Sequence, residues 1–91
     1  MYYVYIIESQ IDKSWYYGYS QNVEKRLGYH NNGESRYTKR KTPWQLIFCR
    51  SFESKTEALK FEKYLKDSRN KEYIKRAFSE YFINRDVAQS G

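Results

Sequence analysis

The segment that most restricts the fold is residues 2–7, an almost unbroken run of aromatic and β-branched side chains, YYVYII. Successive side chains of a strand point to opposite faces, so a strand that is apolar throughout has to be covered on both sides. The run therefore predicts a central β-strand inside a layered fold. It is too short to span a membrane, and no basic segment precedes it as in a signal peptide, so we expect a cytoplasmic protein.

Two further segments have strand-forming composition, residues 15–19 (WYYGY) and residues 44–52 (WQLIFCRSF). The polar residues 10–14 have the length of a hairpin connection between the first two strands. Gly18 interrupts the second strand, and a glycine there often marks a bend or a place where another group approaches the backbone. Together the three segments predict a small three-stranded antiparallel sheet.

Three other segments predict helices that flank this sheet. They extend to about residues 31, 66 and 83, and the side chains suited to cap their starts are Ser20 or Asn22, Ser54 and Ser68. The expected order is β-β-α-β-α-α, an α+β fold. We expect one domain over residues 1–83 and a flexible C-terminal tail over residues 84–91.

The charge of the chain favours a polyanionic partner. Lys and Arg number 17 against 11 Asp and Glu, which gives a net charge of +6. Nucleic acid and an acidic membrane surface both suit such an excess. The single cysteine, Cys49, has no partner for an internal disulfide or a zinc site, which is consistent with a reduced, intracellular protein.

The strongest concentration of positive charge is residues 36–41 (RYTKRK), with an aromatic side chain inside it. This pattern suits phosphate contacts combined with packing against a base or sugar, and a solvated loop with incidental charge fits it equally well. The candidate nucleic-acid-binding residues are Arg36, Lys39, Arg40 and Lys41.

Two helices carry charged residues close to their apolar faces. Arg26 and His30 are four residues apart on the first helix, and they flank its apolar stripe like one wall of a cleft or like a structural pair. On the second helix Glu62 falls between Ala58 and Leu65, and a carboxylate there is costly to bury unless a cation meets it. An ion pair with lysine or arginine is the favoured interpretation, and a Mg²⁺ ion is the alternative.

Taken together, these residues resemble the GIY-YIG nuclease superfamily, which includes the nuclease module of the bacterial excinuclease, intron homing endonucleases and small single-domain bacterial proteins. The resemblance extends over about residues 2–66. The first motif is YVY at residues 3–5 and the second is YYG at residues 16–18. The helix arginine of the family falls on Arg26, the following His or Tyr on His30, and the metal-binding glutamate on Glu62. Tyr3 and Tyr17 depart from the family's glycine and isoleucine.

The resemblance implies an endonuclease that hydrolyses DNA phosphodiester bonds with one Mg²⁺ (or Mn²⁺) ion, in DNA repair or recombination. It implies that Glu62 holds the ion and that Arg26 stabilises charge on the phosphate. Tyr16 then orients or deprotonates the attacking water. The full set of catalytic positions that it implies is Tyr5, Tyr16, Arg26, His30 and Glu62. Gly18 would let the substrate or the neighbouring helix come close.

We expect selectivity for DNA structure, such as branches or damage, more than for sequence, and no small-molecule cofactor or membrane partner. Without metal, we expect Glu62 to be held by Arg26. A non-catalytic nucleic-acid-binding module on the same scaffold is the alternative function, and a basic structural protein is a third. Some branches of the family carry a late asparagine, but no local motif aligns Asn70 or Asn84 with it.

Overall fold

The computed structural model describes residues 1–83, so the expected tail and Asn84 lie outside the described residues. Its sheet has three strands, β1 (Tyr2–Ser9), β2 (Trp15–Ser20) and β3 (Trp44–Phe52), in the order β2-β1-β3. Both pairs are antiparallel, and β1 is the central strand. The apolar run at the start of the chain is therefore the middle of the sheet, which confirms that prediction.

Helices pack against the sheet as the α+β prediction requires. The three α-helices are α1 (Val23–Asn31), α2 (Lys55–Ser68) and α3 (Lys71–Ala77), and the two short 3-10 helices are Lys39–Lys41 and Ser79–Tyr81. Asn22 caps α1 by accepting a hydrogen bond from the backbone N–H of Lys25, so it takes the role that the sequence left open between Ser20 and Asn22. Ser54 caps α2 in the same way.

The predicted third helix over residues 68–83 is wrong at both ends. Ser68 is the last residue of α2, because Arg69 adopts the left-handed conformation (φ 53°, ψ 15°) that interrupts a helix. Asn70 then caps α3, and its side chain accepts a hydrogen bond of 3.0 Å from the N–H of Tyr73. After Ala77 the chain turns through a 3-10 helix and does not continue as α-helix.

The end of the described chain is held by the sheet. The backbone N–H of Ile83 donates to the carbonyl of Ile47 over 2.8 Å, and Phe82 forms an isolated bridge with Phe48. The open edge of β3 offers backbone partners that a continued helix would leave unused. This tertiary pairing explains why the local helical pattern stops early.

The two faces of the sheet carry separate cores. The face under α2 and α3 buries Val4, Ile6, Phe48, Ala58, Leu65 and Ile74, and the face under α1 buries Tyr5, Ile7 and Trp44. Each fully buried aliphatic or aromatic side chain contributes about 1.5–3 kcal/mol to the free energy of unfolding. Because β1 supplies both cores, its register fixes which of its side chains reach the α1 face. None of the helices over residues 1–83 has the length and apolar character needed to cross a membrane.

Candidate active site

Tyr5 lies at the centre of the candidate site, on the α1 face of the central strand. Its side chain is 1% exposed, and its hydroxyl oxygen lies 3.0 Å from Nε2 of His30. His30 belongs to the last turn of α1 and is itself 1% exposed. The two sequence-predicted residues are thus joined by a buried hydrogen bond between a strand and a helix that are 25 residues apart in sequence.

Gly18 is the cross-strand partner of Tyr5 in the β1–β2 register. A Cβ atom built on Gly18 would lie 2.7 Å from Cε1 of Tyr5 and closer still to its Cζ and hydroxyl oxygen. The missing side chain therefore makes room for the Tyr5 ring. This is a different use of the glycine from the one expected from sequence, in which the substrate or the neighbouring helix approached it.

Tyr16 and Arg26 complete the α1 side of the site. Tyr16 lies on β2 on the same face as Tyr5, and its ring centre is 4.9 Å from that of His30. Arg26 is one helical turn before His30, and its Cζ lies 4.8 Å from the ring centre of Tyr29. The Arg26 side chain is exposed, so its guanidinium is accessible to a ligand.

A cleft of about 240 Å³ opens beside Arg26. Its lining residues combine aromatic, polar and positively charged side chains, with no acidic group among them: Tyr19, Ser20, Asn22, Lys25, Arg26 and Tyr29. This composition suits a nucleotide unit, because an aromatic face can stack on a base while a cation contacts phosphate.

The pKa values at the site favour neutral Tyr5 and neutral His30. Burial raises the pKa of Tyr5 to about 12, the charges of Tyr16 and Glu62 act in the same direction, and Arg26 opposes them. Burial, followed by the charge of Arg26, lowers the pKa of His30 below 6.5. Tyr5 is therefore a phenol near pH 7 and suits hydrogen bonding better than proton abstraction.

Glu62 lies on α2, which packs on the opposite face of the sheet from α1. Its side chain is 17% exposed, and it lies close enough to Tyr5 for its charge to act on the pKa of that phenol. Within residues 1–83 the cation that pairs with it is Nζ of Lys66 at 3.5 Å, so the expected pairing with Arg26 is wrong. Lys66 lies one helical turn after Glu62 on α2, so the two side chains meet within one helix. A pair with Arg26 would require α1 and α2, on different faces of the sheet, to bring their side chains together.

The residues present fit a metal ion that takes most of its ligands from water and substrate. No group of three or more His, Cys, Asp or Glu side chains in the described part of the chain is arranged to hold a metal. Glu62 offers one carboxylate, and Mg²⁺ in phosphate chemistry commonly uses one or two carboxylates together with substrate oxygens and waters. The donor set therefore suits Mg²⁺ or Mn²⁺ completed by a phosphate, and it does not suit a closed zinc site.

The basic segment, residues 36–41, lies next to the Nδ1 side of the His30 ring. Arg36, Lys39 and Arg40 are exposed, as expected for contacts with a polyanion. Lys41 is different, because its Nζ lies 3.1 Å from the carboxylate of Asp12 and 3.3 Å from Oγ of Ser14. Lys41 thus links the segment to the β1–β2 turn, and its charge is already paired.

Thr38 is a site residue that the sequence did not reveal. Its Oγ1 lies 2.9 Å from Nδ1 of His30, and its carbonyl accepts a hydrogen bond of 2.8 Å from Nε1 of Trp44. A single threonine within a basic run has no periodicity that would mark it as buried. The contact depends on how the segment folds back over α1, which only the tertiary structure shows.

A family model described as the GIY-YIG catalytic domain matches residues 1–77. The chain belongs to the GIY-YIG family. Membership in this family implies a nuclease-type domain, and it confirms the resemblance drawn from the motifs.

Similar proteins include several that carry the name UPF0213. A UPF0213 protein of Staphylococcus saprophyticus is 46% identical over 61 residues, which cover 66% of this chain and 73% of that protein. The UPF0213 protein YazA of Bacillus subtilis is 43% identical over 63 residues, 68% of this chain and 63% of YazA. The solution NMR structure of the UPF0213 protein BH0048 from Bacillus halodurans superimposes with a TM-score of 0.52 at 34% identity, covering 85% of this chain and 83% of that one.

Proposed function

We propose that this GIY-YIG protein is a divalent-metal-dependent endonuclease that hydrolyses DNA phosphodiester bonds and selects DNA by structure more than by sequence. The observation that carries the proposal is the grouping of Tyr16, Arg26 and His30 around the buried hydroxyl of Tyr5, whose pKa the charge of Glu62 also raises. The grouped side chains come from β1, β2 and α1, and Glu62 on α2 acts on Tyr5 through its charge. A packing core has no need of such a group of ionisable side chains.

Arg26 and Glu62 would act on the phosphate from two sides. Arg26 presents a rigid fork of donors that matches phosphate oxygens, and it would stabilise negative charge that develops during cleavage. Glu62 would hold one Mg²⁺ or Mn²⁺ ion, which supplies polarisation of the scissile phosphate and neutralises charge on the leaving oxygen.

The two tyrosines have different roles in this proposal. Tyr16 is half-buried and would orient or deprotonate the attacking water. Tyr5 stays protonated because its pKa is raised to about 12, so it would fix the position of the water or of a phosphate oxygen by hydrogen bonding. His30 would hold Tyr5 in place through Nε2.

DNA would be bound mainly through its backbone. Lys25 and Arg26 line the cleft beside the site, and Arg36, Lys39 and Arg40 extend the positive surface along the basic segment. Contacts of this kind position a duplex and carry no base information, which is the reason to expect weak sequence preference.

A nucleic-acid-binding module without catalysis is the second candidate. It is favoured by the absence, within residues 1–83, of a preformed cluster of metal ligands. Against it stands Glu62, because a carboxylate whose charge acts on Tyr5 also opposes the binding of a polyanion there unless a cation is bound.

The test is cleavage by purified protein of supercoiled and branched DNA, with Mg²⁺, with Mn²⁺ and with a chelator. The proposal predicts nicking only with a divalent ion. Arg26→Gln should lower cleavage at saturating DNA, whereas Lys25→Gln, its neighbour in the cleft, should weaken binding and leave the saturated rate unchanged. DNA binding without cleavage under every ionic condition would support the binding module instead.

A further inference from the structure

A continuous hydrogen-bonded chain runs from the basic segment to Tyr5. Oγ1 of Thr38 lies 2.9 Å from Nδ1 of His30, and Nε2 of the same ring lies 3.0 Å from the Tyr5 hydroxyl. All three side chains are 1% exposed. No buried polar side-chain atom in the described part of the chain lacks a partner, so the two contacts account for both nitrogens of His30.

The tautomer of His30 determines whether the Tyr5 hydroxyl donates to Nε2 or accepts from it. His30 is neutral near pH 7, so one ring nitrogen carries hydrogen and the other accepts. If Nδ1–H donates to Thr38, Nε2 accepts the proton of Tyr5, and the phenol oxygen faces the site as an acceptor. If the Thr38 hydroxyl donates to Nδ1, Nε2–H donates to Tyr5, whose own O–H is then directed elsewhere in the site.

Thr38 is also held firmly by its own segment. Its carbonyl accepts hydrogen bonds from Nε1 of Trp44 at 2.8 Å and from the N–H of Lys41 at 3.1 Å. The hydroxyl is therefore presented to His30 from a fixed backbone. Its neighbours Tyr37 and Lys39 are exposed, so the residue that meets His30 lies in the middle of the surface expected to contact DNA.

We propose that Thr38 is a positioning residue of the active site: its hydroxyl fixes the tautomer of His30 and, through it, the direction of the Tyr5 hydrogen bond. Thr38 does not touch the substrate in this proposal. The catalytic part of the proposal rests on the nuclease function proposed above, but the effect on the tautomer does not.

His30 is the only histidine of the chain, so a two-bond ¹H–¹⁵N correlation spectrum reports its tautomer without further assignment. Thr38→Val keeps the shape of the side chain and removes the hydroxyl, and Thr38→Ser keeps the hydroxyl. We expect one dominant tautomer in the wild type and in Thr38→Ser, and a changed or mixed tautomer in Thr38→Val. If Thr38→Val does not fold, Thr38→Ala provides the same comparison with Thr38→Ser.

Cleavage kinetics test the consequence for Tyr5. Thr38→Val should lower kcat by about tenfold or more with little change in KM, because small errors in the placement of a reacting group are costly, and Thr38→Ser should restore it. In a Tyr5→Phe background, Thr38→Val should add no further loss, since both changes act through one hydroxyl.

Several results would overturn the proposal: an unchanged tautomer in a folded variant that lacks the hydroxyl, a loss of kcat that Thr38→Ser does not restore, or an equal loss in the Tyr5→Phe background. The spectra are recorded without DNA or metal, so they separate the two proposals. A tautomer that follows the hydroxyl in a protein that never cleaves DNA would leave the positioning effect intact and reject the nuclease function.

Discussion

The ring of Tyr5 lies across Gly18, its partner on the neighbouring strand, in a space that the hydrogen side chain of glycine leaves open. The contact carries the Tyr5 hydroxyl to within 3.0 Å of Nε2 of His30. The close packing of Tyr5 against Gly18 therefore sets the position of the Tyr5 hydroxyl, which lies at the centre of the candidate active site.

Two glycines should respond in opposite ways to alanine. Gly18→Ala places a Cβ against the Tyr5 ring, and overpacking of this kind costs about 1–3 kcal/mol of unfolding free energy. Gly28→Ala, in α1, meets nothing within 4 Å and should raise the unfolding free energy by about 0.5–1 kcal/mol. Denaturant melts of the two variants measure both effects. A tolerated Gly18→Ala with Tyr5 and His30 undisturbed would contradict this account of the glycine.

Stability should fall as the pH is lowered through the range in which histidine titrates. Burial and the nearby Arg26 place the folded-state pKa of His30 below its ordinary value of 6.5, so the unfolded chain binds the proton more readily. Stability from this source is fully present above about pH 7 and is lost as the pH falls below 6.5 towards the folded pKa. Tyr5, whose hydroxyl contacts the ring, keeps its proton in this window because its pKa is raised to about 12.

The measurement is the free energy of unfolding between pH 7.5 and 5 for the wild type and for His30→Gln. The wild type should lose stability across this interval, and the variant should be nearly flat before carboxylates begin to titrate. Equal slopes for the two proteins would show that His30 is not responsible.

The salt dependence of DNA binding should distinguish the basic residues that contact phosphate from Lys41, whose charge is already paired within the protein. Each phosphate contact contributes about 0.9 to the slope of log K against log salt, so Arg36→Gln with Arg40→Gln should flatten the slope by about two. Lys41→Gln should flatten it much less, because Asp12 already pairs with that ammonium. A change for Lys41→Gln as large as for Arg36→Gln would show that the Asp12 pair opens when DNA binds.

Local patterns in the sequence predicted much of the fold. The strand expected over residues 44–52 matches β3, and the apolar run is the central strand. These segments are specified by their own composition, because a run of β-branched and aromatic residues has few alternatives. The prediction of the third helix was wrong because Arg69 interrupts the helix and Ile83 pairs with Ile47. Helical periodicity in the sequence reveals neither feature.

Local sequence patterns predicted the contacts within the candidate site less well than the fold. Residue types and the family resemblance suggested which side chains belong to it, but partners depend on segments that meet only in the folded chain. Glu62 pairs with Lys66 instead of Arg26, Tyr5 fills the space at Gly18, and Thr38 reaches His30. The Tyr5 contact depends on the register of β1 against β2, and the Thr38 contact depends on how the basic segment folds over α1. The Glu62–Lys66 pair is local to α2.

In the proposed nuclease, Glu62 is a metal ligand and not a structural partner. Its ion pair with Lys66 is 3.5 Å long and the lysine is half-exposed, so we expect it to contribute no more than about 0.5 kcal/mol to stability. Glu62→Gln and Lys66→Gln break this same pair, but only Glu62→Gln removes the carboxylate. The two variants therefore form a matched comparison.

The most direct measurement is nicking of supercoiled DNA by the wild type, Glu62→Gln and Lys66→Gln in Mg²⁺ and in Mn²⁺, together with their free energies of unfolding. We predict that both variants unfold within about 0.5 kcal/mol of the wild type, that Lys66→Gln still cleaves, and that Glu62→Gln does not. Cleavage by Glu62→Gln, or its loss in both variants, or strong destabilisation of Glu62→Gln alone, would contradict the assignment of Glu62 as the metal ligand.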